Sequence, residues 1–274
     1  MRFASLGSGS KGNATLVEAG ATRILVDCGF SCTETEKRLA RLSLDPGDLS
    51  AILVTHEHGD HISGVARLSR RYHLPVWMTA GTEAVHKGGE VAAWHCFNGH
   101  SNFTIGDLQI EPFPVPHDAR EPCQFVFSDG QSRLGLLTDV GSITAHIVQA
   151  LFSLDAIILE CNHDPDMLAN GPYPPVLRRR VGGPFGHLSN QQAAELLSRI
   201  DIDRLQYLVV AHLSEKNNHP ALPRALLSEV LGCSAGDILV ADQPDGMPWL
   251  SLDRGNVNQS TTQGSRPPAG VAQS

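Results

Sequence analysis

The sequence predicts an α/β protein, and three observations carry that expectation. Short β-branched runs alternate along the chain with amphipathic segments, the pattern of strands layered against helices. Four apolar runs stop at a side chain able to bind a metal: Ala51 to Thr55 before His56, Leu134 to Thr138 before Asp139, Asp155 to Leu159 before Glu160, and Tyr207 to Ala211 before His212. The chain has 274 residues, 41% of them hydrophobic, enough to bury a sizeable core as one large domain or two small ones.

Taken in order, Arg2 to Leu6 reads as a strand that runs into Gly7-Ser8-Gly9-Ser10-Lys11-Gly12-Asn13. Thr15 to Glu18 and Arg23 to Asp27 form a hairpin across Ala19-Gly20-Ala21. Thr33 and Glu36 have capping-box spacing ahead of a helix bearing Leu39, Leu42 and Leu44. A further helix runs from about Ile62 to Tyr72 and stops before Pro75. Ser189 and Gln192 make a second capping box, followed by the apolar stripe Ala193, Leu196, Leu197 and Ile200. Residues 255–274 are rich in Gly, Ser, Gln, Thr, Asn and Pro and read as a disordered tail behind one folded domain, residues 1–254. No internal repeat is discernible.

Composition narrows the setting. No stretch approaches the roughly 18–20 apolar residues of a membrane span, and the N-terminus lacks a signal-peptide pattern. Six cysteines lie singly at 28, 32, 96, 123, 161 and 233, which suits reduced, mostly buried thiols in a cytoplasmic protein. Cys28 and Cys32 are spaced as a weak metal or redox signal, for which burial is the simpler reading. With a net charge of −8, no broad basic face advertises nucleic acid, although thirteen histidines and bound dications would alter the local field. Arg178-Arg179-Arg180 is the one dense positive run, either a solvated face or a substrate contact.

The densest chemical signal is Thr55-His56-Glu57-His58-Gly59-Asp60-His61. In extended backbone His56 and His58 project to one side. Gly59 then permits the turn that Asp60 and His61 need. Imidazole nitrogen and carboxylate oxygen are ligands for zinc and similar ions, and packing four such groups together without a metal would strand buried polar surface. The alternative is a solvated turn that happens to be His-rich. The helical zinc-protease motif does not fit, because position 60 is Asp, so Glu57 has no support as a general base.

Together with Val115-Pro116-His117, Leu137-Thr138-Asp139 and Ala211-His212-Leu213-Ser214, this segment resembles the metallo-β-lactamase superfamily over most of residues 1–250. The resemblance implies a four-layer αβ/βα sandwich with a dinuclear metal site at one edge of two packed mixed sheets. One divalent ion would sit on His56, His58 and His117, a second on Asp60, His61 and His212, with Asp139 bridging. Zn²⁺ and Mn²⁺ suit such donors, and Fe²⁺ is admissible. Two ions about 3.5–4 Å apart lower the pKa of a shared water and brace the attacking and leaving oxygens, which makes hydrolysis the implied chemistry. Asp at 139, where the antibiotic hydrolases usually carry Cys, and His at 58, where the di-iron oxidoreductases carry Glu, point away from both branches.

Gly186-His187-Leu188-Ser189-Asn190 resembles the motif of the phosphodiesterase branch, in which the His is thought to protonate the leaving oxygen. The capping box independently puts His187 on a loop beside a helix N-terminus, and an imidazole titrating near neutrality suits a general acid; the alternative is local packing. Glu160 resembles the acid that orients that His, or is a buried acid in a structural hydrogen bond. His163 has no assigned duty. With Leu6 to Asn13, Asp27-Cys28-Gly29 and His212 to Asn218, the chain is similar to the YycJ/WalJ-type group, for which a 5′-to-3′ DNA exonuclease activity is implied. Asp60, His187 and Glu160 are thus the catalytic candidates. Ser8, Ser10 and Asn13 could contact phosphate or merely form a tight turn, and Arg180 is a further candidate contact.

The expectation is a cytoplasmic metal-dependent phosphodiesterase acting on nucleic acid, DNA foremost. The alternatives are transfer-RNA 3′ processing, disfavoured because no long Gly/Pro-rich insert is present, a small-molecule phosphodiesterase, and thioester or lactone hydrolysis. A non-enzymatic scaffold would be expected to have lost ligands. The sequence does not fix the oligomeric state.

Overall fold

A computed structural model describes residues 1–252. The expected tail and its boundary at 254/255 lie outside the described residues. In chain order the strands are β1 (Arg2–Gly7), β2 (Ala14–Ala19), β3 (Thr22–Val26), β4 (Ala51–Leu53), β5 (Pro75–Met78), β6 (Ala93–Cys96) and β7 (Phe103–Ile105). They continue as β8 (Leu108–Pro114), β9 (Cys123–Ser128), β10 (Arg133–Leu137), β11 (Ala156–Glu160), β12 (Tyr207–Ala211), β13 (Leu239–Val240) and β14 (Met247–Ser251). Among the described residues these form two seven-stranded sheets, ordered β14-β1-β2-β3-β4-β5-β6 and β13-β12-β11-β10-β9-β8-β7. Each sheet is mixed, with antiparallel ladders toward one edge and parallel ladders toward the other.

The period-two alternation of strands divides the core into three apolar layers. Phe3, Ile24, Val26 and Leu53 of the first sheet meet Phe125, Leu134, Ile158 and Val209 of the second in a central layer. On the outer face of the first sheet, Ala4, Leu6, Leu25 and Ile52 pack beneath the helices Cys32–Arg41 and Val65–Tyr72. On the outer face of the second, Ile157, Leu159, Leu208 and Val210 pack beneath Ala145–Ala150, Asn190–Arg199 and Ala221–Leu231. The result is helix, sheet, sheet, helix: the expected four-layer sandwich. No helix of the described residues is long and apolar enough to cross a membrane.

Two local expectations are corrected. The first helix is capped by Ser31, not Thr33: the Ser31 side chain accepts the Glu34 N–H, and Thr33 lies inside the first turn. The helix expected from Ile62 to Tyr72 is divided into Gly59–Ile62 and Val65–Tyr72. The division falls where Gly64 docks on the loop after β3. Its N–H donates to the Cys28 carbonyl at 2.8 Å, and a Cβ there would lie 2.0 Å from the Phe30 carbonyl oxygen. The second capping box forms as expected, with Ser189 and Gln192 bonding reciprocally. Cys28 and Cys32 are both buried, and burial pushes the Cys28 thiol up to about 12.

That loop is built for close approach. A Cβ on Gly29 would stand 1.8 Å from the Asp60 carbonyl oxygen. Gly29→Ala is therefore expected to destabilise the fold by about 1–3 kcal/mol and to push the Gly59–Ile62 turn outward. A lowered melting temperature together with weaker metal binding in a titration checks this; an unchanged pair of values refutes it.

Candidate metal centre and active site

The candidate residues converge where β3, β4, β10, β11 and β12 end. Asp27, Asp139 and His212, one or two residues beyond their strands, adopt left-handed backbone with φ of 61°, 51° and 54°. Such a conformation costs a non-glycine residue on the order of 1–3 kcal/mol and is found where the surroundings enforce it. Here it turns each side chain sharply away from its strand. Asp60 and His61 ride on the Gly59–Ile62 helical turn, His58 occupies its N-cap position, and His117 follows β8.

Two clusters result, His56 with His58 and His117, and Asp60 with His61, Asp139 and His212; within each, the ligand atoms lie within 4.8 Å of one another. Four of the imidazoles are held from outside in the same way. The His56 Nδ1–H donates to Thr55 Oγ1 at 2.9 Å, while the Thr55 hydroxyl donates to Asp27 Oδ2 at 2.8 Å. His61 Nδ1 bonds Asp27 Oδ2 at 2.8 Å, His117 Nδ1 bonds the Gly186 carbonyl at 3.0 Å, and His212 Nδ1 bonds Glu160 Oε1 at 3.0 Å. Each bond fixes the ring and leaves Nε2 facing inward, the outer-shell arrangement of metal-binding histidines.

Among the inward-facing atoms, His56 Nε2, His212 Nε2 and Asp139 Oδ2 are buried and make no well-aligned hydrogen bond, although Asp139 Oδ2 stands 3.0 Å from His61 Nε2. Leaving such groups without aligned partners is expensive unless a cation completes them. Nitrogen and carboxylate donors of this kind are the ones divalent ions take. The residues fit the implied ions, and the clusters are able to bind metal.

Glu160 joins the second cluster to the general-acid candidate. Its Oε1 accepts from His187 Nδ1 at 2.8 Å and from His212 Nδ1 at 3.0 Å. Its Oε2 accepts the Val140 and Leu188 N–H groups, each at 3.0 Å. The carboxylate is fully buried and its four bonds leave it one position.

Beside these groups lies a cavity of about 280 Å³, lined by Asp60, Asp139, His187 and His212 together with Ser10, Tyr173 and Arg180. The Arg180 Nε donates to Asp118 Oδ2 at 2.5 Å at its mouth. Ser8 and Asn13, by contrast, turn into the protein. Ser8 Oγ accepts the His212 N–H at 2.9 Å and donates to Asn13 Oδ1. Asn13 donates from its backbone to the Asp60 carbonyl at 2.8 Å. Glu57 accepts the Arg120 N–H. Reasoning from the sequence assigned no role to Asp27 or Asp118. Asp27 carried a usable signal, as a fifth metal-capable side chain placed directly after an apolar strand; Asp118 carried none.

Charge is finely distributed in this cluster. Burial and the neighbouring positive His61 hold His56 well below its ordinary pKa, and burial likewise lowers His117. Burial also opposes charge on His61 and His212, but Asp139 overrides it in both, helped by Asp27 at His61 and by Asp60 and Glu160 at His212; His212 rises to about 10. Without a cation, then, both rings favour the charged form. Metal must expel those protons, so its affinity should climb as pH rises from about 6 to 8, with protons released on binding. Calorimetry in buffers of different ionisation enthalpy measures the release; a pH-independent affinity with no proton release would refute it.

A family model described as the Beta-lactamase superfamily domain matches residues 22–211. Exodeoxyribonuclease YycJ of Bacillus anthracis is 36% identical over 235 residues, covering 84% of this chain and 89% of that protein. Exodeoxyribonuclease WalJ of Streptococcus pneumoniae serotype 2 is 35% identical over 223 residues, covering 79% and 83%. The crystal structure of the metallo-β-lactamase-fold protein YhfI from Bacillus subtilis superposes with a TM-score of 0.72 at 17% identity, over 91% of this chain and 98% of that one. The chain belongs to the metallo-β-lactamase superfamily, within the group that holds the YycJ/WalJ proteins.

Proposed function

We propose that the protein is a cytoplasmic exonuclease that hydrolyses DNA phosphodiester bonds with two divalent ions, Zn²⁺ or Mn²⁺. The observation that carries this reading is His187, held by Glu160 against the shared wall of the metal-binding clusters and the cavity. His56, His58 and His117 would hold one ion and Asp60, His61 and His212 the other, with Asp139 between them. When bound, such a pair supplies Lewis acidity that activates water and offsets charge on the phosphoryl group.

The remaining work falls to the chain. Burial opposes charge on His187, but Glu160 overrides it and raises its pKa, which favours the imidazolium form a general acid needs. With Nδ1 fixed on Glu160, the Nε2 proton is the one available to the departing oxygen. Glu160 keeps its position throughout, pinned by two backbone N–H groups. Arg180, released from Asp118, can offer its planar guanidinium to a phosphate oxygen. Ser8 and Asn13 serve by bracing His212 and Asp60, and Ser10 faces the cavity. The names of the YycJ and WalJ relatives support DNA as substrate and exonucleolytic action. The described cysteines are all free thiols, which supports a reducing compartment. The modest cavity favours one second reading, a small phosphodiester as substrate.

Protein loaded with Mn²⁺ or Zn²⁺ should cleave 5′-phosphorylated DNA in preference to precursor transfer RNA, an aryl phosphodiester or a thioester. Turnover of the thioester alone would sink the reading. His187→Ala should keep its metal yet turn over about 10²–10⁴-fold more slowly. Because the acid form of His187 is lost as pH rises through its raised pKa, the wild-type rate should fall on the alkaline side, and the variant should lack that limb. A His187→Ala protein that had also lost metal would defeat the acid role.

A further inference from the structure

A second groove, of about 640 Å³, lies behind the wall of the catalytic cavity. The two share that wall residue by residue. Asn162 lines the cavity and His163 the groove; His187 lines the cavity and Ser189 the groove; Arg180 lines the cavity and Arg179 the groove. Two of these pairs are adjacent in sequence, and neighbouring Cα atoms stand about 3.8 Å apart, so the two compartments back onto one thin wall. The Pro175–Val181 helix between them buries no residue of its own and so presents both faces to solvent-filled space.

The groove has an apolar floor that includes Leu168 and Pro165, and no carboxylate lines it. Arg178 bonds only the Ala169 carbonyl, and the Arg179 guanidinium has no hydrogen bond or ion pair among the described residues. Two guanidinium groups thus meet at one groove with no carboxylate partner, in a chain of net charge −8. His163 is 4% exposed and neither ring nitrogen has a hydrogen-bond partner among the described residues; its Nδ1 is wholly buried. An apolar floor, unneutralised guanidinium groups and an unpartnered imidazole suit a group that is flat and apolar on its faces, polar at its edge and joined to an anion.

We infer that this groove is a strand-binding subsite that takes a nucleotide next to the one cleaved, its base on Leu168 and Pro165, its edge toward His163 and its phosphate on Arg178 and Arg179. The inference rests on the nuclease reading above. It deepens that reading by making recognition extend beyond the scissile bond, with the Pro175–Val181 helix as the divider over which the strand passes.

The test compares wild type, Arg179→Glu, Leu168→Trp and, as a remote charge control, Arg67→Glu, all loaded with Mn²⁺. Two quantities are read: anisotropy of a fluorescein-labelled, phosphorothioate-linked single-stranded deoxyoligonucleotide, and hydrolysis of bis(4-nitrophenyl) phosphate, which reaches only the catalytic cavity. Arg179→Glu and Leu168→Trp should each weaken oligonucleotide binding about tenfold or more, and Arg179→Glu should lower the salt slope by about one. Aryl diester hydrolysis should stay within about twofold of wild type, and Arg67→Glu should bind as wild type does. Unchanged oligonucleotide affinity in both groove variants, or an equal loss in Arg67→Glu, overturns the subsite while leaving the nuclease reading intact. A wild-type protein that neither binds this oligonucleotide nor hydrolyses 5′-phosphorylated DNA with ordinary phosphodiester linkages overturns the nuclease reading itself.

Discussion

Two buried carboxylates hold the site together, one from each sheet. Asp27, after β3, fixes His61 directly and His56 through Thr55. Glu160, ending β11, fixes His212 and His187. A buried carboxylate is tolerated only when its oxygens are met by donors, and a buried imidazole faces the same demand. Each therefore constrains the other, and the shared constraint sets ring tautomers, ring orientations and the direction in which every remaining nitrogen points. The left-handed turns at Asp27, Asp139 and His212 are upheld by the same network, which offsets the local backbone cost.

Much of this arrangement was legible in the sequence because it follows from local rules. Apolar strands that end in a ligand, the His-Asp turn at 56–61 and the capping box at Ser189 each need only a few neighbouring residues to be recognised. Alternation of strand-like and helix-like runs gave the α/β layering, and the four-layer arrangement was legible through the family resemblance. What escaped depends on tertiary contact. Gly64 breaks a helical pattern because Phe30, remote along the chain, presses its carbonyl there. Ser31 outcompetes Thr33 as a cap because the burial of Cys32 and Thr35 sets where the helix begins. The glycine-rich loop reads equally as a phosphate cradle or a turn, and only the fold shows Ser8 and Asn13 spending their polar atoms on His212 and Asp60. The Asp118 to Arg180 pair spans residues no local pattern connects.

The charge of the chain and its proposed polyanionic substrate are reconciled by geography. Negative groups at the centre are placed to face cations, and Asp118 holds Arg180 at the mouth. The basic run at 178–180 occupies the one short helix that faces both compartments. Attraction is thus confined to where a strand would lie, and the rest of the surface repels nonspecific nucleic acid.

The pairing of β14 with β1 also governs how the protein comes into being. Residues 2–7 are synthesised long before their outer neighbour, residues 247–251, near the end of the described chain. Until then β1 presents an open row of backbone donors and acceptors, and an unpaired strand edge invites intermolecular pairing. His56 to His61 likewise wait for His212. The nascent chain therefore carries an open strand edge and a half-built histidine cluster through much of its synthesis; His212 completes the cluster, and residues 247–251 cover the edge later.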